Sequence, residues 1–276
     1  LCKQAIEMLE QYDLTEDLII AYHTLILILF VMRDFEIARP PCEKHYALAQ
    51  QLGDRYWEAK SRSFLIGSKI LNNENDVEED IAENRKLFEA LGDHMGLATI
   101  HTSEAWLYFL KKDYQRAAHS AKIALQYKEP IKTTYHIAET LQFLGDVALS
   151  QKDYDLARTY FNQSLSLKWN EGYTHFLLPL LNRVARLYFA MGQFEKSLAI
   201  MAVWSKVPDT YRYSSFAGVL NSNAILPELE NKLGKEKFSA IWEHGQGREL
   251  GDIVRELLGE DIEETSDARK PELQSI

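Results

Sequence analysis

Apolar residues through the middle of the chain fall at helical spacing, and the same stripe returns about every forty residues. In SQKDYDLARTYFNQSL, Tyr154, Ala157, Phe161 and Ser164 stand three, four and three residues apart, which sets them on one face of a helix. LKKDYQRAAHSAKIAL, forty residues earlier, and AMGQFEKSLAIMAVW, forty later, repeat the arrangement. The aromatic that opens each stripe (Phe35, Tyr114, Tyr154, Phe194) is followed three residues on by a small one: Ala38, Ala117, Ala157 and Ser197. The intervals are 79, 40 and 40, so one landmark is missing inside NNENDVEEDIAENRKLF. QLGDRYWEA and ALGDHMGLA, 39 residues apart, restore the missing unit and make five.

Each unit resolves into two helices. In the fourth, Leu141, Leu144, Gly145 and Ala148 line one face of a helix A, and helix B follows Lys152-Asp153. A glycine or alanine in the middle of helix A permits close approach, and the aromatic opening helix B is expected to fill the gap between them. Neither stripe can be buried within one helix, so units must stack. Turn signals at Gly53-Asp54, Gly92-Asp93, Glu129-Pro130 and Asn170-Glu171-Gly172 separate the units, and no period-two strand pattern appears. The pattern predicts an all-α solenoid over 1–205, with units starting near 16, 55, 94, 131 and 173. Residues 1–12 read as a leftover second helix, its stripe of Ala5, Ile6 and Leu9 lacking a preceding partner. Further repeats or another domain are therefore expected before Leu1. Capping helices are expected over 206–259, where Phe238, Trp242, Ile253 and Leu257 can cover the last apolar face, and a disordered tail over 260–276.

LGDVALSQKDYDLARTYFNQSLSL resembles the tetratricopeptide (TPR) family: Leu144-Gly145, Tyr154, Ala157 and Phe161 are its signature types at its spacings. The resemblance implies a right-handed α-α superhelix of about five helix pairs. Its unit of about 40 residues exceeds the family's consensus of 34. HEAT and armadillo units have this length but not the aromatic-then-small pattern. Residues 230–258 resemble the closing segment of the helical sensor region of LuxR-type regulators and other STAND-class signal-transduction ATPases. The residues that carry it are Leu233-Gly234, Phe238, Trp242, Gly245 and a helix from about Leu250.

Composition removes other classes. A net charge of −10 and only 31 Lys and Arg against 41 Asp and Glu argue against a phosphate-backbone surface, so no direct nucleic-acid partner is expected. LIIAYHTLILILFVM is shorter than a membrane span and carries Tyr22, His23 and Thr24, which makes it a buried helix. No leader pattern opens the sequence, and two cysteines make no disulfide framework; a cytoplasmic location is expected. GxxxxGK[ST], HExxH, GxSxG and paired CxxC are absent, and GQGRELG has the wrong spacing for a phosphate loop. His94 and His101 share a helix face with no carboxylate or thiol at ligand spacing, and the run Glu78-Glu79-Asp80 reads as a solvated face. Neither an enzymatic site, a cofactor nor a metal is expected.

Function must then come from the surface of the A helices, which line the concave side of stacked pairs. The register projects His23, Leu27 and Phe30, then Arg62, Ile66 and Lys69, then Thr102, Trp106 and Phe109 into that groove. Gln142 and Asp146 follow, then Asn182, Arg186 and Phe189. Aromatics with a few orienting polar groups suit a recognition groove for a protein, a peptide or a small carboxylated ligand. The clamp with which tetratricopeptide co-chaperones hold a C-terminal carboxylate is not reproduced. The expected roles are the C-terminal sensor of a multidomain bacterial signalling or transcription regulator, working on upstream domains of its own chain, or a stand-alone peptide receptor or scaffold.

Overall fold

The computed structural model describes residues 2–11, 15–32, 35–72, 74, 76–205 and 225–259. The predicted tail at 260–276, and residues 206–224 of the predicted cap, lie outside the described residues. Among those described the fold is all-α, with consecutive helices packed in pairs as in a tetratricopeptide-like solenoid. They form two compact units that divide between Thr133 and Thr134.

The first unit contains α1 (Cys2–Gln11), α2 (Thr15–Met32), α3 (Phe35–Leu52), α4 (Arg55–Leu71), α5 (Glu78–Leu91), α6 (His94–Leu110) and α7 (Tyr114–Lys128). The second contains α8 (Thr134–Ser150), α9 (Tyr154–Asn170), α10 (Thr174–Ala190), α11 (Phe194–Trp204), α12 (Leu226–Leu233), α13 (Lys235–Gly247) and α14 (Leu250–Leu258).

The turns follow from local chemistry. An aspartate ends four of them and caps the next helix: Asp54 accepts from the Tyr56 and Trp57 amides, Asp93 from Gly96, Asp113 from Arg116 and Asp153 from Leu156. The residue before each aspartate is left-handed. Glycine supplies that conformation at Gly53 (φ 65°) and Gly92 (φ 64°), but Lys112 (φ 60°) and Lys152 (φ 63°) adopt it with a Cβ.

In the first unit, Ile6 of α1 joins Leu18, Tyr22, Leu25 and Leu29 of α2 in one core cluster, so the short first helix does cover a stripe of its neighbour. α2, expected from sequence to be a buried helix, exposes one face that carries Glu16, Asp17 and Thr24 with Ile20, Leu27 and Ile28. No helix among the described residues is long and apolar enough to cross a membrane. A second cluster runs from Ala59 through Phe88 to Leu107. In the second unit one core spans α8 to α11 and takes in Ile253 and Val254 of α14, with Trp242 and Leu257 packed against it. α13 lies so close on α11 that a Cβ on Gly245 would sit 2.6 Å from the Ala202 Cβ.

One packing expectation needs correction. The gap at Gly145 is filled by Phe161, two turns into α9, and not by Tyr154, which opens that helix and stays half-buried. A Cβ on Gly145 would meet the Phe161 ring at 2.4 Å. The opening aromatic sits too near the turn to reach the middle of its partner.

Candidate functional site

α8 carries Glu139, Gln142 and Asp146 on one face, because offsets of three and seven return to the same side of a helix. α10 presents Asn182, Arg183 and Arg186, and α9 contributes Lys168 near its C-terminus. Asp146 and Arg183 form an ion pair at 2.7 Å with side chains 4% and 3% exposed. Arg183 also donates to the Pro179 carbonyl at 3.2 Å, one turn back on α10. The Lys168 ammonium, 1% exposed, donates to Glu139 Oε1 at 2.6 Å, Gln142 Oε1 at 2.8 Å and the Phe176 carbonyl at 3.3 Å, which uses its three donors.

This network is largely buried, with Glu139 and Arg186 at its half-buried edge, and it is incomplete. Asp146 Oδ1, Asn182 Nδ2 and Arg186 Nη1 are buried without a hydrogen-bond partner. Burial raises the pKa of Asp146, opposed by the charges of Arg183 and Arg186. Burial likewise lowers those of Lys168, opposed by Glu139, and Arg186, opposed by Asp146. The three cations, Lys168, Arg183 and Arg186, face two carboxylates, Glu139 and Asp146. Arg183 satisfies Asp146 and Lys168 satisfies Glu139, so Arg186 is the surplus positive charge. A group that brought one negative charge to Arg186 and Asn182 would supply the acceptor that these two donors lack, since buried donors left unpaired are costly.

The structure thus brings Gln142, Asp146, Asn182 and Arg186 together in the second unit. Of the ten other residues projected from the register, Phe189 packs on Phe194 in the second unit and nine lie in the first, where Leu27 is exposed and the rest are engaged in packing, hydrogen bonds or ion pairs. His23 sits among His45, Trp57 and Phe64, with ring centroids 5.6, 5.2 and 5.1 Å away. Phe30 packs on Phe64 and over Gly67. Arg62 pairs with Glu83 at 2.7 Å and Glu58 at 3.5 Å, and Lys69 with Asp80 at 2.5 Å. These are not free cationic points. α5 lies alongside α4, and its acidic first turn, read from sequence as a solvated face, pairs with Lys69 through Asp80 and with Lys111 through Glu78. Trp106 edges Phe109, which rests on Tyr114.

His101 also differs from expectation. Glu104 reaches its Nδ1 at 2.9 Å, and Arg85 pairs with the same carboxylate. Burial raises the Glu104 pKa, but the His101 hydrogen bond and the Arg85 charge outweigh it and hold the group below its usual range. No group of three or more metal-ligating side chains occurs among the described residues.

Sequence reasoning missed Lys168 and Arg183. Lys168 carries a usable signal: forty residues earlier Lys128, also buried, donates to Thr102, and Thr102 is forty residues before Gln142. The same helix B to helix A bond recurs one unit on.

Residues 138–168 match the tetratricopeptide repeat family model. That span holds Gly145, Tyr154, Ala157 and Phe161, and Glu139, Gln142, Asp146 and Lys168 of the polar network. The crystal structure of BtubC (BKLC) from P. vanneervenii is similar, with a TM-score of 0.58 at 19% identity over 74% of this chain and 87% of that one. The likeness is one of fold. A search of curated proteins gave no significant match.

Proposed function

We propose that this chain is a non-catalytic recognition domain, and that the face shared by α8 and α10 receives an anionic group of a protein or peptide ligand. A tetratricopeptide repeat suits protein–protein interaction or scaffolding, and the matched repeat contributes half of this face. The observation that carries the reading is the buried surplus cation. Arg186 Nη1 and Asn182 Nδ2 are donors without acceptors, one turn apart on α10, beside an Asp146 already committed to Arg183. Charged hydrogen bonds to such a group gain strength from the low local dielectric. A small carboxylated ligand is accommodated by the same chemistry. The test is binding of the intact chain to a peptide array in matched acidic and amidated forms. Preference for the acidic form, lost in Arg186→Gln, supports the reading; equal binding to both forms removes it.

The wider setting belongs to the same proposal. The likeness of residues 230–258 to the end of LuxR-type and STAND sensor regions favours the C-terminal sensory part of a cytoplasmic bacterial signalling or transcription regulator, with upstream domains of its own chain as partners. The competing setting is a stand-alone peptide receptor or scaffold. Reading the gene upstream of Leu1 decides between them: a nucleotide-binding P-loop supports the regulator, and its absence the receptor.

A further inference from the structure

The first unit holds a second buried polar cluster that the recognition face does not use. His45 of α3 is fully buried, and its Nδ1 lies 2.6 Å from Ser61 Oγ of α4. The Ser61 hydroxyl also reaches the Trp57 carbonyl at 2.6 Å. A hydroxyl has one proton and a carbonyl can only accept, so the proton goes to Trp57 and His45 Nδ1–H donates to Ser61. His45 Nε2 is then a bare lone pair, buried with no partner, and His23 Nδ1 on α2 is likewise buried without a hydrogen-bond partner. The two imidazoles stand 5.6 Å apart between Trp57 and Phe64.

We propose that this histidine pair is an acid-sensitive latch that fastens α2 and α3 to α4 while both rings are neutral and releases them when a ring is protonated. The groups that face the pair offer no relief to a positive charge. His23 faces His45 from α2, Ser61 is neutral, and Lys60 of α4 adds its own positive charge near His23. Lys60 is itself held by Asp93 at 3.0 Å. On α3, Cys42 lies one turn from His45 as a neutral thiol, its pKa pushed up to about 12 by burial and by the charge of Glu43. Tyr22 of α2 is turned to Glu10, and Tyr46 of α3 to Arg62. No carboxylate is hydrogen-bonded to either ring among the described residues.

The sign follows. Burial, with the neighbouring His23 adding to it, pushes His45 down to about 4 from an ordinary 6.5. The released state binds the proton more readily, so release becomes easier as pH falls from about 6.5 towards about 4 and gains nothing further below that. Between about pH 7.5 and about pH 5 the opening equilibrium rises about 30-fold from His45 alone.

Cys42, fully buried beside the latch, reports opening. In the Cys2→Ser chain, labelling by 4,4′-dithiodipyridine, which reacts with thiols in acid, is measured against the urea-unfolded chain at each pH. The expected result is about 30-fold faster relative labelling at about pH 5 than at about pH 7.5, and in His45→Gln, whose amide can still donate to Ser61, only the shallower rise that His23 contributes. Flat labelling in the unsubstituted latch overturns the proposal. Should His45→Gln not fold, NMR titration of the His45 ring in the Cys2→Ser chain replaces it: an ordinary midpoint near 6.5 overturns the latch, and one displaced well below it sustains it.

Discussion

Gly145→Ala probes the packing on which each helix pair depends. The added Cβ would lie 2.4 and 2.5 Å from two ring carbons of Phe161 and 3.0 Å from a third. Ordinary carbon contacts lie at about 3.5–4.0 Å, so the ring must retreat by about 1 Å. Phe161 is fully enclosed and has no void to move into. Overpacking of this kind costs about 1–3 kcal/mol, while alanine in place of a helical glycine returns about 0.5–1 kcal/mol. The expected net loss is about 1–2 kcal/mol, read from the midpoint of urea unfolding followed by circular dichroism. Phe161→Leu in the same chain should recover part of it, with a favourable coupling of at least about 0.5 kcal/mol. The repeat supports the reasoning: forty residues earlier the pair is Ala105 and Ala121, and forty later Ala185 and Met201, all buried. Where helix A keeps a methyl, helix B has given up the ring. A Gly145→Ala chain as stable as the parent, or strictly additive losses in the double variant, would refute this packing logic.

Other outcomes follow from the turns and the polar network. Lys152→Gly relieves a left-handed residue with a Cβ and should raise stability by about 0.5–1 kcal/mol; Gly192, its counterpart one unit on, already has φ 76°. A thermal melt with no upward shift counts against it. Lys168→Met strands the buried Gln142 oxygen, and should cost about 2 kcal/mol in urea unfolding. Glu139 is 38% exposed and can take up water, so Glu139→Gln should cost far less, and equal losses from the two would contradict the assignment. Arg183→Met should destabilise more than Arg62→Met, because Asp146 is 4% exposed and Glu83 is 55% exposed.

The helix pairs were legible because an apolar stripe obeys the period of its own helix: Tyr154, Ala157, Phe161 and Ser164 announce α9 without reference to any other segment. The polar residues of α8 and α10 could be placed on a face for the same reason. What each one bonds depends on a neighbouring helix, which a periodicity does not specify. Arg62 and Lys69 therefore read as groove cations although α5 supplies them with Glu83 and Asp80. Arg183 lies among core residues of α10 and shows no stripe of its own, yet it neutralises Asp146. Lys168 was visible only by comparing polar positions across units, where Lys128 and Thr102 stand one repeat earlier.

Hydrogen exchange on the intact chain, with and without an acidic peptide captured from the array, tests the recognition face most directly. Protection is expected to concentrate in α8 and α10 around Asp146 and Asn182 to Arg186, and to vanish in Arg186→Gln. Protection confined to other helices, or unchanged by that substitution, would contradict a ligand seated on the surplus cation.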